Sequence, residues 1–107
     1  MKFTEQKLEG IYLIEPEPYK DERGMLRRNF CREEFNSYGL MSEIKQTNVS
    51  ENKKKYTLRG FHFQLAPFGE NKVISCMKGG IYAVVVDLRK ESTTYLQGQS
   101  FDLTEEN

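Results

Sequence analysis

With 107 residues, the chain has the size of one domain, residues 1–107, with room for one modest core. Sixteen basic and sixteen acidic residues cancel, which argues against a nucleic-acid or membrane-surface partner. One histidine and two distant cysteines match no metal or redox spacing, and no apolar run suits a signal peptide or a bilayer span.

Ile11 to Ile14 is a short apolar run that reads as a strand, ended by Glu15-Pro16-Glu17-Pro18 because proline cannot donate to a ladder. Asp21-Glu22-Arg23-Gly24 is a turn signal, and Met25 to Phe30 reads as extended. Arg32 to Tyr38 reads as a short helix, with acidic residues early and Gly39 placed to end it. Phe35 and Tyr38, three apart, are expected on its buried face.

Strands are expected over Ile44–Ser50, Tyr56–Leu65 and Lys72–Met77, the second of them central. Glu51 to Lys55 connects the first two as a charged loop, and Ala66 to Asn71 makes the next loop. Lys78-Gly79-Gly80 looks like a hairpin turn. Ile81 to Leu88, the most hydrophobic segment, reads as a strand buried on both faces, and Tyr95 to Leu103 alternates loosely. Many short strands at such spacing, with one small helix, imply an all-β antiparallel sandwich or barrel.

The chemistry-bearing stretch is Leu58-Arg59-Gly60-Phe61-His62-Phe63-Gln64, with Lys72 eight residues further on. Side chains alternate along an extended backbone, so His62 and Gln64 share one face and Phe61, Phe63 and Leu65 the other. A regular strand puts Arg59 on the apolar side, and an irregularity at Gly60 is expected to swing it towards His62. Taken alone, a lone histidine between aromatics is more often structural than catalytic.

The stretch has companions in a fixed order: Asp21-Glu22-Arg23-Gly24, Gln46-Thr47-Asn48, then Val86-Asp87-Leu88-Arg89 beyond Lys72. Together they resemble the dTDP-4-dehydrorhamnose 3,5-epimerase family, from about Gly10 to Asn107. The resemblance implies a cupin-type antiparallel jelly roll, matched over its N-terminal part and therefore incomplete at the C-terminal side. It implies an isomerase that removes an α-proton beside the C4 ketone of a nucleotide-linked deoxysugar and stabilises the enolate. Histidine titrates near neutrality, which suits a base, and the resemblance gives that role to His62. It makes Lys72 the enolate stabiliser and Arg59 the diphosphate anchor. Gln46 and Asn48 match polar positions of the cavity. Tyr19 and Arg23 match residues that reach a neighbouring subunit's nucleotide, so a homodimer is implied.

No cofactor or metal is expected, because the existing ketone already acidifies the α-protons. A reducing, cytoplasmic setting is the default. Three departures stand out: Arg28 replaces a common glutamate, Ala83 a common aspartate, and the family chain continues past the position of Asn107. The family's general-acid tyrosine and histidine-orienting aspartate lie in that continuation. The alternative to an epimerase is a non-catalytic nucleotide-sugar-binding or dimerisation module derived from the same family.

Overall fold

The computed structural model describes every residue from Met1 to Asn107. Its elements are β1 (Lys2–Glu5), β2 (Tyr12–Glu15), β3 (Tyr19–Asp21), β4 (Gly24–Leu26), α1 (Arg32–Ser37), β5 (Gly80–Val86) and β6 (Gly98–Thr104). The strands form three antiparallel pairs, β1–β2, β3–β4 and β5–β6. Mostly β with one short helix is what the sequence implies. No helix is long and apolar enough to cross a membrane.

Phe3 on β1 lies opposite Ile14 on β2, and the connection between the strands folds Leu8 fully into the interior. A six-residue helix such as α1 cannot hold itself together in water. Its Phe35, only 1% exposed, anchors it: the ring meets Phe3 edge-on at 5.4 Å and Phe30 at 4.8 Å. Burial of that ring contributes about 2–3 kcal/mol. Tyr38 stacks on Phe3 at 4.4 Å while remaining half exposed, so the expected buried face belongs mainly to Phe35. Gly39 follows the helix at φ +67°, the left-handed turn expected of it. On the helix's outer side, Glu34 accepts hydrogen bonds from the Met1 α-amino group at 2.8 Å and from Arg28 at 2.6 Å.

On β5, Ile81 and Ala83 pair with Leu103 and Phe101 of β6 and turn inward, while Tyr82 and Val84 face out. This corrects the expectation of a strand buried on both faces: β5 has one partner strand and one covered side, so its burial alternates. Just after β5, the buried carboxylate of Asp87 accepts hydrogen bonds from Arg89 Nε (2.9 Å), Ser92 Oγ (2.6 Å) and Thr94 Oγ1 (2.7 Å). Arg89 also donates to the Glu9 carbonyl at 2.8 Å, which ties the end of β5 to the β1–β2 connection.

The strands expected over Ile44–Ser50, Tyr56–Leu65 and Lys72–Met77 do not form ladders. Between residues 41 and 78 the only backbone–backbone hydrogen bond runs from Phe68 N to Leu65 O, at 2.9 Å. The chain as a whole makes 29 such bonds, against roughly 70 for a closed domain of this size. The physical reason is the lack of a ladder partner: a strand needs a neighbouring backbone to bond with, and no other segment of these 107 residues pairs with these stretches. Leu58 is therefore 91% exposed and Phe61 70%, so the apolar face inferred for the central strand is uncovered. For the same reason Lys78-Gly79-Gly80 leads into β5 but joins no hairpin.

Candidate functional site

A cleft of about 240 Å³ opens between β2, residues 72–76 and the β5–β6 pair. Ile14, Ile74, Ala83, Val85, Phe101 and Leu103 give it apolar walls, and Lys72, Arg27 and Arg28 give it positive charge. The inward face of β5–β6 thus forms a wall of the cavity that contains Lys72.

Lys72 does not hang free in that cleft. Its ammonium lies 2.8 Å from Oε1 of Glu70, two residues earlier in the loop. The Lys72 ammonium, and secondarily the amide of Gln64, hold the Glu70 carboxyl below its ordinary range. The end of the loop from Ala66 to Asn71 therefore sets the Glu70 carboxylate against the Lys72 ammonium. His62 itself is exposed and makes no side-chain hydrogen bond in the chain.

Arg59 is positioned differently from the expectation. Gly60 does break the extended run, at φ +133°, but Arg59 turns to the preceding loop and not to His62. Its Nε donates to Asn52 Oδ1 at 2.6 Å and its Nη2 to the Glu51 carbonyl at 3.4 Å. The remaining N–H groups of the fork stay open for an anion. Gln46 and Asn48 are exposed, on backbone with no ladder partner.

Tyr19 and Arg23 share a shallow groove on the β3–β4 pair. Arg23 clasps Asp21, with Nη2 at 2.6 Å and Nε at 3.2 Å. That guanidinium holds the Asp21 carboxyl below its usual range. The structure thus gathers Tyr19 with Arg23 and pairs Lys72 with Glu70, while Arg59 sits in its own bracket. Glu70 and Asn52 were missed from the sequence. A carboxylate two residues before the lysine was the available signal for Glu70, and nothing local marked Asn52.

The family model described as dTDP-4-dehydrorhamnose 3,5-epimerase matches residues 5–107. The chain belongs to that family. It is 38% identical over 106 residues to the Methanothermobacter thermautotrophicus dTDP-4-dehydrorhamnose 3,5-epimerase, covering 99% of this chain and 56% of the relative. The Shigella flexneri enzyme of the same name is 32% identical over 108 residues, covering 100% of this chain and 59% of the relative. A crystal structure of the Bacillus anthracis enzyme, with TDP and PPi bound, superposes with a TM-score of 0.94 at 35% identity. That match covers 99% of this chain and 61% of the Bacillus one. The chain thus has the fold of this cupin-like family over somewhat more than half the length of the relatives it matches.

Proposed function

We propose that this chain supplies the proton-transfer face of a dTDP-4-dehydrorhamnose 3,5-epimerase, acting in dTDP-L-rhamnose synthesis on a nucleotide-linked 4-keto-6-deoxysugar. The observation that carries the reading is the near-complete superposition with a family member that holds TDP and PPi. In this reading His62 takes the proton as the α C–H bond breaks. The electron pair moves through the enolate onto the C4 oxygen, and Lys72 donates a hydrogen bond to that oxygen. A proton returned to the opposite face inverts the carbon, with no net oxidation and no cofactor consumed. Arg59 grips the diphosphate through the open part of its fork. Gln46 and Asn48 line the sugar cavity. The same reading has a homodimer in a cytoplasmic setting, with Tyr19 and Arg23 on the exposed β3–β4 pair reaching the neighbouring subunit's nucleotide.

The test is NMR of dTDP-4-keto-6-deoxyglucose in heavy water with the chain present. Deuterium is expected at C3, C5 or both. His62→Ala should abolish that uptake and leave nucleotide-sugar binding nearly intact. Persistent uptake in the variant would remove His62 from its role. Binding without uptake in the parent chain would favour a non-catalytic binding module.

A further inference from the structure

We propose that Glu70 is a positioning residue for Lys72: it takes one N–H of the ammonium and so aims the other two at the substrate oxygen. The inference rests on the enolate-stabilising role proposed for Lys72. Its own evidence is geometric. Lysine carries its charge on four rotatable carbons, and an unsupported ammonium spreads over many positions. Here the ammonium is fixed at 2.8 Å from Oε1 of Glu70. The loop that carries Glu70 is itself closed by the Phe68 N to Leu65 O hydrogen bond at 2.9 Å. The closed loop and the ion pair together hold the ammonium in one place at the mouth of the stretch that ends at Lys72.

The pair is nearly half exposed on both sides, with 44% of the Lys72 side chain and 40% of the Glu70 side chain accessible. Exposed ion pairs stabilise a fold little and are screened by salt. A stabilising role is therefore a poor account of the contact. Orientation of a donor asks for less energy, because a small misplacement of a reacting group already slows a reaction.

Glu70→Ala should lower the maximal rate of deuterium uptake about tenfold, with substrate affinity and Tm unchanged. Glu70→Gln, which keeps an acceptor oxygen but loses the charge, should recover part of that rate. Raised salt should slow the parent and leave Glu70→Ala unaffected. In a Lys72→Met variant, the Glu70 carboxyl, followed by carbon NMR, should titrate at a higher pH than in the parent.

An unchanged uptake rate in Glu70→Ala, with uptake lost in Lys72→Met, would overturn the positioning role and leave Lys72 in place. Unchanged uptake in Lys72→Met would remove the lysine's role and this inference with it. Identical titration of Glu70 in parent and Lys72→Met would show that the contact itself is absent, which also overturns the proposal.

Discussion

The block formed by β1–β2, α1 and β5–β6 and the stretch from residue 41 to 78 are built on opposite terms. The first holds four of the five buried residues, Phe3, Leu8, Phe35 and Asp87, two of the three ladders and the aromatic cluster; the fifth buried residue, Cys76, lies at the end of the second. The second holds Gln46, Asn48, Arg59, His62 and Lys72 and has one backbone hydrogen bond of its own. What keeps the chain folded and what the family resemblance marks for chemistry are thus carried by different residues. Substitutions in the block should change stability, and substitutions at the exposed residues of the stretch should change binding or rate alone.

The sharpest way to break this contrast is to truncate one aromatic ring on each side. Phe35→Ala removes a buried ring that touches Phe3 and Phe30, and should destabilise by about 3–5 kcal/mol in denaturant melts. Phe63→Ala removes a ring that is 61% exposed, and should stay within about 0.5 kcal/mol of the parent. Comparable losses would mean that the stretch is packed in solution and that the contrast is false.

Asp87 offers the next largest effect. Its carboxyl is held far below the ordinary carboxylate range, first by the Arg89 side chain, then by Ser92, the Arg89 amide and Thr94. In Asp87→Asn the amide keeps one acceptor but loses the charge that faces Arg89, and Tm should fall by about 5 °C or more. The pH dependence has a fixed sign. The unfolded chain protonates this group near pH 4, whereas the folded chain resists protonation. Its stabilisation is therefore complete above about pH 5 and declines as pH falls further. Glu34 and Asp21, also held low, add to the same slope. Asp87→Asn should show a shallower loss of Tm between about pH 5 and 3 than the parent. An equal slope would assign the acid sensitivity to the exposed carboxylates.

The same division explains which features could be read from sequence. The helix before Gly39, the Asp21–Gly24 turn and the run of Ile81 to Val86 are set by local propensity and capping, and each lies where expected. Strand β1 escaped notice because Lys2-Phe3-Thr4-Glu5 has one apolar residue to signal it. The stretch around Tyr56 to Leu65 failed in the reverse sense. Alternation reports how a backbone would pack, but whether a partner is present is a non-local fact that no residue in the run encodes. The site followed the same rule: Arg59, His62 and Lys72 stood out through an ordered motif. Glu70 and Asn52 became visible only when loop folding brought their oxygens to a lysine and an arginine.

The smallest effect probes the arginine's bracket. Asn52 accepts from Nε of Arg59 on an exposed loop, so Asn52→Ala should leave the melt within about 0.5 kcal/mol of the parent. If Arg59 anchors a diphosphate, loss of the bracket frees the side chain, which must then be ordered on binding. One flexible side chain costs about 0.5–1.5 kcal/mol to immobilise, or roughly two- to tenfold in Kd for dTDP. Arg59→Ala should weaken binding further, because it deletes the charged fork as well as its order. Calorimetry on the two variants separates the roles: a graded loss places Asn52 behind Arg59, and equal losses make Asn52 a ligand in its own right. No loss in either would move the diphosphate away from this loop, and the open stretch would then owe its chemistry to His62 and Lys72 alone.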